Sequence, residues 1–459
     1  MTHAATRIVV TGDLEIVQTI IAAKATKGAR RMNMDDLILV SVDDHVVEPP
    51  DVFEKHLPAK YQEFAPKLKE REDGTLAWYY YEHQLTNVGL NAVAGRPREE
   101  YGIEPTRLDE MRKGCWDIDE RVKDMNAGGV LGSLCFPSMP GFSGRIFAAA
   151  DDDNIANAMV KAYNDWHVHE WCGRHPGRFI PLGVPMIWSA EETAKEVHRL
   201  ADMGCTAITF PENPEPLGQP TLHDPYWDPF WRAAEERGTV ICMHIGSSSK
   251  LAMTTPDAPI DVLITLQPMT IVQAAADLVW SRVLKEFPNI KIALSEGGIG
   301  WVPYFLDRIE RTYDMHHHWT GQDLGGMTPS ERFLKNVLLC FISDPVGVSL
   351  VDRIGSQNVC WEMDYPHSDS AWPVGPEDIY RDITAAGLSD ADINAITHET
   401  AMRWFQYDPF AHIPKEQATV GALRKQAEGH DIAIRSMGRG RMEHEGVNIA
   451  ELSKTATGR

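Results

Sequence analysis

Eight short apolar runs are spaced along the chain, and each is followed by polar turn residues and a stretch of helical character. The runs lie at residues 37–42, 130–136, 179–184, 206–210, 239–245, 290–295, 337–343 and 359–363. Continuous apolar runs of five to seven residues, as here, are typical of strands buried on both faces of a parallel sheet. Eight such strands alternating with helices predict an α/β fold, a (β/α)8 TIM barrel.

The segments between the runs carry helix signals. Residues 190–203 open with acidic side chains and end at Gly204, as capping rules predict, and residues 226–237 and 274–287 are similar. An open doubly wound sheet is the alternative arrangement of these elements. No G-x-G-x-x-G motif follows a strand, so the sequence gives no support to a dinucleotide-binding form of that sheet.

Three segments fall outside this alternation and define the predicted domain organisation. We expect an N-terminal extension at 1–34, a barrel at 35–409 with an insertion at about 60–115, and a C-terminal arm at 410–459. An aromatic run at 78–81 predicts a hairpin in the insertion. We expect the two terminal segments to be disordered or packed on another subunit.

The negative net charge of the chain disfavours partners that are themselves negatively charged. The 459 residues include 44 Lys and Arg against 66 Asp and Glu, a formal net charge of −22. Nucleic acids and anionic lipids are therefore poor partners. No apolar window reaches the roughly 18 residues of a membrane span, and the first ten residues lack the pattern of a signal peptide.

Seven cysteines are spread thinly and form no CxxC pair, and five of them sit inside short apolar runs. A free thiol in such a run behaves as a small buried hydrophobe. An odd number of cysteines in these positions favours a reducing cytoplasm over a disulfide framework.

Polar side chains gather at the predicted carboxyl ends of the strands, where barrel enzymes place their chemistry. Asp43 and His45 follow the first run two residues apart, so an extended backbone points both to the same side. His244 ends the fifth run and Asp364 follows the eighth. Singly, each residue has an ordinary alternative role in a solvated turn, a core or a helix cap. Together, two imidazoles and two carboxylates suit a divalent metal such as Zn, Mn or Fe.

Several short motifs occur in combination. They are D-x-H at 43–45, H-D-P at 223–225, W-D-P-F at 227–230, H-I-G at 244–246, F-P-N-I-K at 287–291, E-G-G at 296–298, W-V-P-Y at 301–304 and D-Y-P-H at 364–367. Through this combination the chain, from about residue 37 to 410, resembles the amidohydrolase superfamily. Within it, the chain is similar to the amidohydrolase 2 branch, which includes aminocarboxymuconate semialdehyde decarboxylase and resorcylate-type decarboxylases.

The resemblance implies a barrel with one catalytic metal held by Asp43, His45, His244 and Asp364. In the hydrolases of the superfamily the metal lowers the pKa of a bound water, and Asp364 would accept a proton from that water. In the decarboxylases the metal holds the substrate while a neighbouring acid protonates the carbon that loses carbon dioxide.

Glu296 departs from the family pattern, which usually has a histidine after strand six. This carboxylate could act as a general base, as an acid if burial raised its pKa, or as a ligand of a second metal. His367 is a second proton-transfer group or ligand. Further sources of ligands are Glu212, His316, His317 and His318.

Two residues are candidates for contacting the substrate. Arg308 could bind a substrate carboxylate because a guanidinium group gives bidentate recognition. His223 could form part of the pocket rim. For both residues a role on the surface or in a helix cap is the alternative.

The first hypothesis for function is a metal-dependent enzyme that hydrolyses, or cleaves a carbon–carbon bond in, a small carboxylated or aromatic substrate, with one or two ions of Zn, Mn or Fe. The alternatives are a dinuclear iron or iron–manganese oxygenase on the same barrel, and a catalytically silent partner of an active paralogue. All four primary ligand positions are filled, which disfavours the silent partner. In each case we expect a homo- or hetero-oligomer.

Overall fold

The computed structural model describes residues 32–102 and 105–438. Its strands are β1 (Leu39–Val46), β2 (Lys67–Glu70), β3 (Leu76–Tyr80), β4 (His83–Leu85), β5 (Val130–Pro137), β6 (Phe179–Ile180), β7 (Ala207–Pro211), β8 (Val240–His244), β9 (Lys291–Ser295), β10 (Val337–Phe341) and β11 (Val359–Trp361). Strands β1 and β5–β11 run parallel and surround one core. Each contains residues of one predicted apolar run, so the predicted (β/α)8 barrel is confirmed.

Two junctions close the barrel. The strand order β1-β5-β6 continues into the order β7 to β11 through a parallel bridge between Gly183 and Ile208. The last strand returns to the first where the N–H of Asp364 donates to the carbonyl of Asp43 at 2.8 Å. The closing seam of the barrel therefore lies at two of the predicted metal ligands.

The barrel strands are apolar on both faces because both faces are covered. Alternate residues such as Val40, Leu134 and Cys242 belong to the cluster that fills the barrel. The residues between them, such as Leu39 and Ile208, belong to the layer under the helices. This two-sided burial is the reason that the strands appear in the sequence as continuous apolar runs.

The α-helices follow the strands around the barrel. They are α1 (Ile118–Ala127), α2 (Asp153–Trp166), α3 (Ala190–Asp202), α4 (Asp228–Arg237), α5 (Ile260–Leu266), α6 (Thr270–Trp280), α7 (Val283–Glu286), α8 (Val302–Thr320), α9 (Pro329–Asn336), α10 (Pro345–Ser349), α11 (Gly375–Ala386), α12 (Asp390–Asn394), α13 (Thr400–Trp404) and α14 (Val420–Gln426). The predicted helix at 190–203 is α3, capped by the Ser189 side chain, which accepts the N–H of Glu192.

The predicted helix at 274–287 is in fact two helices, α6 and α7, which meet at Ser281. The backbone of Ser281 is extended, with φ −77° and ψ 167°. Its hydroxyl accepts the N–H of Val283 at 3.2 Å and donates to the carbonyl of Leu278 at 2.9 Å, so it bonds to the backbone on both sides of the break. A serine that competes with the helical backbone in this way explains the break.

The insertion after β1 forms an antiparallel sheet of β2, β3 and β4, which extends the predicted hairpin by one strand. The side chains of Trp78 and Tyr80 in β3 are buried. The Tyr80 hydroxyl donates to the carbonyl of Phe147 at 3.5 Å. The insertion therefore packs on the segment that follows β5, at the mouth of the barrel.

Residues 410–438 of the predicted C-terminal arm lie on the barrel of their own chain, so the expectation of disorder is wrong for this part. The N–H of Val420 donates to the carbonyl of Leu37 at 2.8 Å, and Leu423 packs with Ile38 and Leu131. Residues 1–31 of the predicted N-terminal extension and residues 439–459 of the arm lie outside the described residues.

One helical stretch, Ile260–Trp280, is long and apolar enough to cross a membrane by length and composition alone, although no such segment was expected. It comprises α5 and α6, and Ile271, Ala275 and Leu278 of α6 are buried in the main core. Core helices of soluble proteins satisfy the same criterion, so this stretch is weak evidence for a membrane span. The seven cysteines are free and buried, as expected.

Substitution of Phe210 in β7 tests how much the packing of the aromatic core contributes to stability. Its buried ring lies 5.0 to 5.2 Å from the rings of Trp227, Phe230 and Trp231. Because Phe210→Ala leaves a cavity, we expect it to lower the free energy of unfolding by about 3–5 kcal/mol, measured by urea denaturation. Trp319→Ala, which removes a ring that is 76% exposed, should change it by no more than about 0.5 kcal/mol. Equal losses in the two variants would contradict this packing.

Candidate metal centre

A β-bulge in β1 directs the first two ligands to the barrel mouth. The pairing of β1 with β5 shifts register between Ser41 and Asp44. Val42 points into the barrel, so strict alternation would turn Asp43 and His45 away from it. The extra residue reverses the alternation, as a bulge does, and both side chains face His244.

Four side chains from three strand ends converge at this mouth. The Nε2 atom of His45 lies 3.4 Å from an Asp43 oxygen and 3.2 Å from an Asp364 oxygen. The other Asp43 oxygen lies 3.2 Å from Nε2 of His244. Ligand atoms that share one ion at about 2.1 Å are themselves separated by roughly 3.0–3.4 Å. These pairs therefore have the spacing of ligands around a cation, and they fall into two overlapping groups that share His45, namely Asp43-His45-His244 and His45-Asp364-His367.

The facing atoms of this set have no hydrogen-bond partner among the described residues. They are both carboxylate oxygens of Asp43 and Asp364 and the Nε2 atoms of His45 and His244. The four side chains are at most 2% exposed. Buried polar atoms are nearly always partnered, so this cluster has the chemistry of a cation site.

The surroundings of His244 and Asp364 orient these two ligands. The Nδ1 atom of His244 lies 2.6 Å from the carbonyl of Ile245, to which it donates when protonated, so that Nε2 is left to bind a metal. Asp364 has a left-handed backbone, with φ 55°. Such strain in a residue other than glycine occurs mainly at functional sites.

Burial sets the charge states of the cluster. It raises the pKa of Asp43, and burial together with the charge of Glu296 raises the pKa of Asp364. Burial lowers the pKa of His45 well below its usual value. For His244 burial acts in the same lowering direction, but Asp43 and Glu296 outweigh it and raise its pKa to about 9. A divalent cation would offset these costs because it stabilises ionised carboxylates and neutral imidazoles.

Glu296 joins the cluster from the end of β9. One of its oxygens lies 3.3 Å from Nε2 of His244, and its side chain is 12% exposed. Burial raises its pKa to about 8. Its backbone is left-handed, with φ 60°, and its N–H donates to the carboxylate of Glu362, whose oxygens both lie at 3.2 Å.

His367 lies on the other side of the cluster. Its Nδ1 atom is 3.1 Å from an oxygen of Asp364, and its ring stacks on that of His45 with centroids 3.6 Å apart. Burial, and then the charge of His244, lower its pKa to about 3. The structure therefore brings His367 and Glu296 to the metal ligands, as the sequence predicts.

Phenylalanine rings wall the centre on the side of β5. The ring of Phe136 lies 4.8 Å from that of His244, and the ring of Phe142 lies 4.3 Å from His244 and 5.5 Å from His45. Only Phe142 is partly exposed. It presents an aromatic face beside the ligands.

The structure places the other predicted residues away from the ligands. Glu212 is held by the hydroxyls of Ser248 and Thr270 beside the mouth. His223 is half exposed and pairs with Asp277 at the outer rim, and Arg308 is exposed on α8. Neither position supports contact with a substrate at the metal centre.

The three adjacent histidines lie near the last turn of α8, which begins just after β9 and leads away from the mouth. Its 19 residues span about 28 Å. His317 contacts the carbonyl of Tyr313 within the helix, and His316 contacts the indole of Trp319. These histidines do not reach the centre.

The sequence reasoning missed Glu362 and Phe142. Glu362 lies inside the eighth apolar run, where a charged residue in a buried strand was an available signal. It is fully buried, and burial, followed by the charge of Asp43, raises its pKa well above the usual value. Phe142 lies in a turn after β5, and no periodic pattern marks its position.

Several known proteins are similar to this chain in sequence or in fold. A relative from Dictyostelium discoideum, 2-amino-3-carboxymuconate-6-semialdehyde decarboxylase, is 24% identical over 311 residues, which cover 66% of this chain and 78% of the relative. An amidohydrolase structure from Mycobacterium avium subsp. paratuberculosis has a TM-score of 0.61 and 19% identity, covering 80% of this chain and 99% of its own.

A second solved structure is 5-carboxyvanillate decarboxylase from Novosphingobium aromaticivorans with bound manganese and 3-methoxy-4-hydroxy-5-nitrobenzoic acid. Its TM-score is 0.56 and its identity 17%, covering 82% of this chain and all of the other. The model of the family described as Amidohydrolase matches residues 54–406, well over half of the chain. The chain therefore belongs to the amidohydrolase family of barrel enzymes, in the branch that its strand-end motifs predict.

Proposed function

We propose that this protein is a metal-dependent carbon–carbon lyase that removes carbon dioxide from a small aromatic or unsaturated carboxylic acid. The observation that carries the proposal is the convergence of two carboxylates and two imidazoles at the mouth of an amidohydrolase-family barrel. The names of a relative and of a structural neighbour as decarboxylases support this reaction over hydrolysis.

Asp43, His45, His244 and Asp364 would hold the divalent ion. Manganese is the first candidate, because a structural neighbour contains bound manganese. When bound, such an ion polarises a substrate carboxylate or an adjacent oxygen and fixes its position. The rings of Phe142 and Phe136 supply an apolar wall against which a planar substrate could pack.

Glu296 would supply the proton that replaces the departing carboxylate. Among the residues around the ligands its carboxyl is open to the mouth, at 12% exposure against 0–2% for the ligands themselves. In the reaction the bond to the carboxylate breaks, the electron pair stays on the ring or chain carbon, and carbon dioxide leaves. That carbon then takes a proton from Glu296, which water reprotonates. His367 is the second proton-transfer group.

Metal binding can be tested without a substrate. Mn²⁺ at about 100 times its Kd should stabilise the metal-depleted protein by about 2.7 kcal/mol, measured as a rise in Tm. His244→Ala should lose most of this rise because it removes a ligand. His398→Ala is the matched control, since His398 is equally buried but lies elsewhere and bonds Thr397. An unchanged response in His244→Ala would argue against the centre.

Activity is tested with the manganese-loaded protein. It should release carbon dioxide from at least one of 5-carboxyvanillate, 2,6-dihydroxybenzoate and aminocarboxymuconate semialdehyde. The released carbon dioxide is measured by mass spectrometry. Glu296→Gln should lower kcat by about 10²–10⁴-fold because the proton donor is lost, with Mn²⁺ binding retained. Asp277→Asn, at the outer rim, is the control. Hydrolysis of an ester or amide panel without release of carbon dioxide would replace the lyase proposal by a hydrolase.

A dinuclear oxygenase is the second candidate, and one observation favours it. The potential ligands form two overlapping groups, Asp43-His45-His244 and His45-Asp364-His367, and Glu296 and Glu362 add two carboxylates beside them. A second ion about 3.5–4 Å from the first would use this excess of acidic groups.

Elemental analysis and oxygen uptake separate the two candidates. Two equivalents of iron, or one each of iron and manganese, with oxygen consumption that depends on substrate would support the oxygenase. One equivalent of manganese or zinc with release of carbon dioxide in the absence of oxygen would exclude it.

A further inference from the structure

The side chain of Asp44 points away from its two neighbours, which are both proposed ligands. It is 2% exposed and lies in the layer outside the barrel interior. One of its oxygens accepts the N–H of Tyr365 at 2.9 Å, and the other accepts the hydroxyl of Ser133 in β5. Asp44 therefore connects β1, β5 and the residue that follows Asp364.

Two backbone hydrogen bonds accompany this contact. The N–H of Asp364 donates to the carbonyl of Asp43 at 2.8 Å, and the N–H of His45 donates to the carbonyl of Tyr365 at 2.7 Å. Together with the Asp44 contact they join the segments 43–45 and 364–365 beyond the end of β11. Three of the four proposed ligands lie on these two short segments.

Arg121 holds the same junction from α1. Its guanidinium group donates to the carbonyl of His45, and its Nε donates to the carbonyl of Gly114 at 2.6 Å. The group is fully buried and lies over the ring of Tyr365, 4.5 Å from the centroid. The backbone of His45 is thus held at its carbonyl by Arg121 and at its N–H by the carbonyl of Tyr365.

We propose that Asp44 is a positioning residue for the metal centre, and that its hydrogen bond to the Tyr365 N–H keeps Asp364 in register with Asp43 and His45. The inference rests on the metal centre of the proposed function. Groups behind the ligands typically contribute 10- to 100-fold to metal affinity because they fix ligand orientation. Asp44 acts on the backbone of the ligand segment, so it never touches the metal or the substrate.

The test is Mn²⁺ affinity of the metal-depleted full-length protein, measured by calorimetric titration. Asp44→Ala removes the acceptor and leaves the Tyr365 N–H buried and unpaired, so we expect affinity to fall about 10- to 100-fold. Asp44→Asn keeps an oxygen for the Tyr365 N–H and can donate its amide to Ser133, so it should retain most of the affinity. Rescue by the isosteric amide is a result that loss of stability alone would not give.

Co²⁺ substitution supplies a spectroscopic readout. The visible absorption of the bound ion depends on ligand geometry, so its bands should shift in Asp44→Ala and match the native protein in Asp44→Asn. If Asp44→Ala does not fold, Ser133→Ala releases the second oxygen of Asp44 and should weaken Mn²⁺ binding in the same direction.

Glu196→Ala is the control for general destabilisation. Glu196 is equally buried, bonds Asn164 and Arg199 on α2 and α3, and lies away from the mouth. This variant should lower Tm without changing Mn²⁺ affinity. Native affinity in Asp44→Ala, or in Ser133→Ala if only that variant folds, would overturn the positioning role, as would an equal loss in Glu196→Ala.

Failure of the positioning role is distinct from failure of the proposed function. A native protein that binds Mn²⁺ but releases no carbon dioxide leaves the Asp44 proposal standing and removes only the lyase. A native protein that binds neither Mn²⁺ nor Zn²⁺ would overturn the centre and the positioning role together.

Discussion

Repulsion between buried carboxylates is the constraint on which the mouth of this barrel depends. Asp43, Asp364, Glu296 and Glu362 lie together in a buried region, where an ionised carboxylate without a partner is costly. The strands do not allow these side chains to separate, because each is fixed at the end of a buried strand. Protons or cations must therefore accompany them. The imidazoles of His45 and His244 lie beside these carboxylates, and a divalent ion bound among them would balance the negative charge that protons otherwise neutralise.

The sequence was sufficient to predict the barrel and to place the four proposed ligands at one end of it. Eight two-sided apolar runs that alternate with helices predict a parallel barrel, and the carboxyl ends of its strands bring Asp43, His45, His244 and Asp364 to the same end. The rest depends on local geometry that no spacing reveals. The bulge in β1 decides which side Asp43 faces, and the hydroxyl of Ser281 splits one helix into two. Contacts made across the fold, such as Phe142 over His244 or Val420 on Leu37, need the tertiary structure itself.

The departure at Glu296 belongs to a larger local arrangement. Its left-handed backbone is held by Glu362, a carboxylate directly after the last barrel strand that accepts the Glu296 N–H. The family pattern usually has a histidine at this position, whereas here two acidic residues stand together. The centre therefore has more carboxylates than that pattern implies. In the proposed lyase one of them, Glu296, would donate a proton, and in the two-ion oxygenase the additional carboxylates would bind the second ion.

The seam of the barrel and the proposed metal centre are the same place, and this has a consequence for assembly. Asp44 and Tyr365, which meet there, are 321 positions apart, so their contact requires the closure of a long loop. A growing chain cannot complete the cluster until its last barrel strand has left the ribosome. A cation bound there would link the first barrel strand to the last. It would therefore oppose opening of the barrel at the seam between β1 and β11.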